Sequence, residues 1–347
     1  DDSTSRTAIM NRFLFHLTLV APVAFVAGGW SALANEHRDN PAMVSLVRPI
    51  ASSVRQSVVQ ILCGGRPVSL GTVVAADGYV LTKRSELTSD PIRVRLADGR
   101  MYPARVASVR RRNDLALLRV DTDATMVPAE FSSQVPAIAS FVVSAGRTGR
   151  PIGIGVVGVK ERAVGHNGRL GVLLEDDSSG RALVQLVVPQ SGAAIAGVEP
   201  GDRIVAINGL EKKSRVGVIE TLRGMFPGES VRLTILRPNE VREELESIEM
   251  DARIRDMGVL QETPSDSKVN GPRNARLSGF DRVVQHDTVL DPDECGGPVL
   301  DTSGQVIGIN IARAGRVVSY ALPSSLVVPE MTSMLQEALG TRGSSAR

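Results

Sequence analysis

Short, mostly apolar runs separated by turn residues recur from residue 54 to about residue 120, and one of them, 92–96, alternates apolar and polar positions with period two. The stretches 58–62, 70–75, 79–82, 92–96, 102–109 and 115–120 each read as a strand. Between them stand Gly64-Gly65-Arg66-Pro67, Ala76-Asp77-Gly78 and Asp98-Gly99. These residue types take positive φ or preset a turn, so they close hairpins. Strands at roughly 8–12-residue spacing predict a barrel or sandwich over 54–136. A second β-rich stretch opens at 139–144 and includes 152–160. The same pattern resumes at 282–285, 305–310 and 317–322, then gives way to a closing helix over about 323–339. The expectation is a second barrel made from 137–164 and 277–339, with a tail at 340–347. The interrupting unit, 165–252, has a different rhythm, with a helical stretch at 214–224 and a strand at 231–237. Residues 253–276 are expected to be a linker, because 261–276 are polar and include Pro264, Gly271 and Pro272.

Composition narrows the function classes. The chain has 347 residues, 42% hydrophobic and 22% charged, enough apolar material for packed cores. At about 150 residues per domain, roughly two domains are expected. Lys and Arg number 40 against 38 Asp and Glu, and this near balance argues against a nucleic-acid partner. The triplet Arg110-Arg111-Arg112 reads as a solvated turn. Two cysteines exclude a disulfide scaffold and a four-Cys zinc site, and four histidines show no metal-ligand spacing. No metal or cofactor is expected. Near the amino terminus, Met10-Asn11-Arg12 precedes an uncharged run over 13–30 and the small-residue site Ala32-Leu33-Ala34. This pattern predicts a signal peptide within 1–34, a mature start near Asn35 and a leader over 35–53. The chain is then exported and meets the membrane only during targeting, with an uncleaved anchor as the alternative.

Residues 168–250 strongly resemble a bacterial-type PDZ domain. The resemblance rests on Ser191-Gly192-Ala193-Ala194, then Ala196-Gly197-Val198-Glu199-Pro200-Gly201-Asp202-Arg203-Ile204, then Ile207-Asn208-Gly209. The flanks resemble the trypsin-like domain of the HtrA/DegP family. They carry Leu70-Gly71-Thr72-Val73-Val74, Asp77-Gly78-Tyr79-Val80-Leu81-Thr82 and Arg112-Asn113-Asp114-Leu115. Further on come Cys295-Gly296-Gly297-Pro298-Val299-Leu300 and Gly304 to Asn310. The resemblance implies a mainly β fold, a trypsin-like double β-barrel with an α+β PDZ domain inserted in the second barrel. Family members usually carry the PDZ after the protease domain. Insertion suits a domain whose termini lie close together.

The resemblance also locates the triad-equivalent positions. Three residues past Thr82, where the family has its general base, stands Ser85. A hydroxyl cannot act as a base near neutral pH, and no histidine lies between His37 and His166. Asp114 holds the orienting position and reads equally as a turn residue. The nucleophile position is Cys295. Asp293 and Glu294 precede it, and their charges should raise its pKa. Asp293 also replaces the glycine whose backbone helps form the family's oxyanion hole. His286 is expected to be structural, and pairing of Cys63 with Cys295 stays open because sequence does not give their separation. In the PDZ unit the resemblance assigns Leu170, Gly171 and Val172 to capture of a peptide carboxylate. Val218 and Leu222, spaced i, i+4, form either the opposite wall of the groove or part of the core. Two functions follow. One is an exported pseudoprotease that binds peptide or protein carboxyl termini and unfolded segments. The other is an HtrA-like endopeptidase with a Cys nucleophile, regulated by its PDZ. A homo-oligomer is compatible with either.

Overall fold

A computed structural model describes residues 41–239 and 244–345. The expected signal segment, 1–34, lies outside the described residues. Part of the expected leader is a helix, α1 (Pro41–Ser53), which buries Val47 and Ala51 against Val58 and Leu70. The first barrel is closed and antiparallel. Its strands are β1 (Val58–Cys63), β2 (Arg66–Ala75), β3 (Tyr79–Lys83), β4 (Ile92–Arg95), β5 (Met101–Arg110) and β6 (Leu115–Val120), in the order β1-β2-β3-β6-β5-β4. Val59, Ile61, Val73, Val80 and Leu118 fill it. The opposite faces of β3 and β6, carrying Tyr79, Leu81, Leu115 and Leu117, pack on Ile309, Ile311 and Leu322 of the second barrel. Both faces of β6 are therefore buried, which explains its near-continuous apolar run.

The second barrel closes in the order β17-β20-β19-β18-β7-β8. Here β7 is Phe141–Ala145, β8 Pro151–Val164, β17 Phe280–His286, β18 Pro298–Leu300, β19 Val306–Gly315 and β20 Val318–Pro323. Helix α6 (Ser324–Ser345) follows and packs Val327 and Met334 between the barrels. The inserted unit leaves the barrel after β8 and returns at β17, two strands that pair with each other. Gly279 N–H donates to the Val164 carbonyl at 3.1 Å, and Asn167 N–H donates to Ser278 Oγ at 3.2 Å. The two ends of the insertion thus meet beside two strands that stay paired across it.

The PDZ unit is a sheet in the order β10-β11-β12-β14-β15 (Val172–Asp176, Ala182–Val187, Arg203–Ile207, Ser230–Asn239, Glu244–Arg253). The short β13 (Leu210–Glu211) pairs with β12. Two helices, α2 (Gly192–Ala196) and α3 (Arg215–Arg223), start on the serine caps Ser191 and Ser214. Gly192 packs so closely on the Arg253 carbonyl that a Cβ has no space there. The core is Leu170, Ala193, Ile204, Val218, Leu233 and Ile254 with their neighbours.

The stretch expected to be a linker is ordered. Its β16 (Arg255–Asp256) pairs with β9 (Gly168–Arg169). Helix α4 (Met257–Leu260) and helix α5 (Pro264–Asn270), the latter opened by a Thr263–Asp266 capping box, follow. Asn274 and Arg276 beyond them are buried. The segment is polar because its side chains bond across other elements, which composition cannot distinguish from solvation.

Candidate active site and peptide groove

Ser85 follows β3, Asp114 precedes β6, and Cys295 stands between a one-turn 3-10 helix (Pro292–Glu294) and β18. The Asp114 carboxylate is fully buried, in a turn whose backbone φ is 58°. Its Oδ1 accepts the Ser85 backbone N–H at 2.9 Å, and its Oδ2 accepts the Ser85 hydroxyl at 2.8 Å. Asp114 is thus both a turn residue and bonded to the base position, with a hydroxyl where an imidazole would be oriented. A second partner accompanies it. Lys83, also fully buried, places Nζ 2.8 Å from Asp114 Oδ2. Nothing in the strand's periodicity signalled this lysine.

Cys295 is fully buried, and its thiol donates to Asn274 Oδ1 at 3.2 Å. Burial pushes the thiol up to about 12, and the Lys83 ammonium opposes this without overcoming it. Burial is the main cause of the rise, and the charge of Glu294 adds to it in the expected direction. Glu294 is itself raised by burial. The Cys295 N–H donates to the Pro292 carbonyl at 3.4 Å, and Glu294 N–H donates to Asp291 O at 3.0 Å. In this 3-10 turn around Asp293 the Cys295 amide points back along its own chain, so it offers no donor to an oxyanion. Cys63 is packed in the first barrel among Ile61, Val73 and Val80. Both cysteines are free, so no bridge forms between them. His286 bonds Thr288 Oγ1 at 2.9 Å and Asn310 Oδ1 at 3.0 Å, and burial lowers it to about 4. It is a satisfied structural residue.

The PDZ unit closes over the base position. Arg253 donates to the Ser85 carbonyl at 2.7 Å, and a Cβ built on Gly228 would lie 3.0 Å from Ser85 Cβ. Glu229, 5% exposed at its side chain, accepts Arg84 at 3.1 Å and both arms of Arg111 at 2.7 Å each. Arg276, fully buried, stacks 4.1 Å from the Phe226 centroid and donates to the Arg111 and Arg112 carbonyls. Burial lowers its pKa, and the nearby Asp114 works against that. The Arg110–Arg112 turn, expected to be solvated, is therefore partly a docking site. Arg111 pairs with Glu229, and Arg110 reaches Glu330 and Glu337 of α6.

In the PDZ unit an apolar groove of about 560 Å³ lies between β10 and α3. Gly171 and Val172 form one wall, Ile219 and Leu222 the other, with Met257 and Leu260 of α4 at the end. β10 is an edge strand, the arrangement strand addition requires. Gly171 has φ 89°, and a Cβ there would overlap Ser191, so no other residue fits. Leu170 lies mostly in the core beneath the loop, at 3% exposure. The groove assignment of Val218 is corrected: it is fully buried among Ile204, Ile207 and Leu233. The i, i+4 face reaches inward at Val218, and α3 turns Ile219 toward the groove, with Leu222 bordering both.

The family model described as "PDZ domain" matches residues 152–246, and that described as "Trypsin-like peptidase domain" matches 70–168. A "Probable periplasmic serine endoprotease DegP-like" of Chlamydia pneumoniae is 30% identical over 78 residues, 21% of this chain and 16% of that protein's length. One of the same description from Marinomonas sp. (strain MWYL1) is 25% identical over 338 residues, covering 72% and 69% of the two chains. Among solved structures, Rv3671c from M. tuberculosis H37Rv, in an inactive form, aligns over 85% of this chain and 93% of its own, at 16% identity and TM-score 0.41. The MamO protease domain from Magnetospirillum magneticum aligns over 80% and 96%, at 17% identity and TM-score 0.37. Through its two matched domains and its DegP-like relatives, the chain belongs to the HtrA/DegP-like family of trypsin-fold proteins that carry a PDZ domain.

Proposed function

We propose that this chain is an exported pseudoprotease whose PDZ groove binds peptide carboxyl termini or unfolded segments without hydrolysing them. The observation that carries this reading is the bonding of Asp114 and Cys295: a serine hydroxyl and a lysine ammonium hold the carboxylate, and the side chain bonded to the Cys295 thiol is Asn274, an amide that cannot act as a general base. A thiol held at about 12 has a negligible thiolate fraction at neutral pH. Export agrees with the periplasmic naming of the DegP-like relatives and with the sequence of residues 10–34. The test is casein cleavage by residues 35–347 beside a Cys295→Ala control. No turnover above that control is expected, and turnover lost on Cys295→Ala would refute the reading. The double change Ser85→His with Cys295→Ser is also expected to stay inactive, because Gly228 and Arg253 crowd residue 85 and the Cys295-position amide points away from the cleft.

For the groove, peptides with an apolar residue and a free carboxyl terminus are expected to bind in the micromolar range, about −8 kcal/mol. Ile219→Asp should abolish that binding by placing a carboxylate on the apolar wall, whereas Val218→Asp should unfold the PDZ core instead. Titrating labelled peptides with free and amidated termini checks both points. Equal affinity for the amidated form would remove carboxylate capture from the mechanism.

A further inference from the structure

The space over the triad-equivalent positions is filled by the chain itself. Residues 271–276, between α5 and β17, cross all three positions in order. Asn274, 2% exposed, lies against Cys295. Its Oδ1 accepts both the Cys295 thiol at 3.2 Å and the Arg313 N–H at 2.7 Å, and its own N–H donates to the Arg313 carbonyl at 3.4 Å. Its Nδ2 donates to the Pro292 carbonyl and to Glu86 Oε1, each at 3.0 Å. Ala275 N–H donates to Glu86 Oε1 at 3.4 Å, and Gly228 faces both Ala275 and Ser85. Arg276 sits with Nη1 3.9 Å from Asp114 Oδ1.

An extended peptide entering this cleft would need the backbone N–H and carbonyl of β19 at Arg313 and the volume over Cys295. Segment 271–276 already holds all of them. We infer that it is a built-in occupant, a strap that keeps a second, extended-peptide site closed, so that the barrel cleft receives an external segment only after the strap withdraws. The two ends of the strap differ in how firmly they are held. Arg276 is fully buried under Phe226 and Phe280, whereas the amino end is held by partly exposed contacts: Arg273 on Glu262, Arg313 on the Asn270 carbonyl, and Val259 of α4 half-buried against the barrel core. Withdrawal is therefore a local opening hinged at Arg276, which leaves the barrels intact. The inference does not rest on peptide capture by the PDZ groove.

Iodoacetamide labelling resolved by mass spectrometry tests it, with Cys63 in the first-barrel core as an internal reference for global unfolding. Asn274→Gly removes the side chain that pins the strap. It should raise Cys295 labelling about tenfold or more while Cys63 stays protected. A synthetic peptide of residues 269–278 should slow that labelling in the variant and have no effect on the unaltered chain. A folded variant with unchanged Cys295 labelling, a parallel rise at both cysteines, or no protection by the peptide would overturn the inference. If the variant fails to fold, the unaltered chain in rising urea decides it. Cys295 should become reactive at lower urea than Cys63, and coincident labelling would overturn the strap.

Discussion

Lys83→Met is expected to lower unfolding free energy by about 3–5 kcal/mol, the cost of leaving a buried carboxylate without its counter-charge. Both partners are fully buried, 2.8 Å apart, and Asp114 retains only the Ser85 hydroxyl, the Ser85 amide and a distant Arg276. Methionine fills the lysine stem's volume, so the loss reports charge and not a cavity. The compensating change is Asp114→Asn, since asparagine tolerates the positive φ of 58° and keeps acceptor and donor atoms. The double variant Lys83→Met, Asp114→Asn should recover most of the loss, whereas Asp114→Asn alone should cost as much as Lys83→Met because it strands the ammonium. Urea unfolding of the four proteins gives the cycle. Additive single effects, with no recovery in the double variant, would show that the two residues act separately.

Glu229→Gln should cost about 2–3 kcal/mol and should loosen the PDZ unit from the first barrel. The figure sits below that for Lys83 because Arg111 is 53% exposed and water compensates part of its loss. The pH dependence follows from the carboxyl's shift. Burial pushes it up, but hydrogen bonds from Arg111 and from the Phe226 N–H, together with the charge of Arg84, outweigh burial and hold it below the ordinary glutamate range. A value lower in the folded state than in the unfolded state stabilises the fold above the unfolded value. That contribution is lost as pH falls through the folded value. The difference between the parent and Glu229→Gln should thus be full near neutral pH and shrink in acid below the ordinary glutamate range. A difference that is constant across that range would mean the charge of Glu229 carries no stability.

Much of this organisation could be read along the chain because it depends on local patterning. Short apolar runs and the turn residues between them predicted the strands of the first barrel to within a few residues. The glycine-rich run from Ser191 to Gly209 marked the PDZ unit because its turns require particular backbone conformations. The absence of an imidazole from the chain between His37 and His166 was equally plain. Helix α4, helix α5 and the buried stretch to Arg276 were misread as linker, because a polar residue that bonds inside the protein looks the same in sequence as one that bonds water.

What the sequence determined by itself, then, was which elements form and which chemistry is missing, since strand period, turn residues and residue identity are properties of neighbours along the chain. Only the tertiary structure decided what replaces the missing base. Lys83, Glu229, Asn274 and Arg276 come from three separate segments, and their burial and partners arise when β3, the β14 approach and the 271–276 strap converge on Asp114 and Cys295. The same holds for Val218 and Ile219, adjacent residues that share one helical stretch. Which of them faces the groove depends on the rotation of α3 against the sheet, and that rotation is set by packing on Ile204 and Leu233.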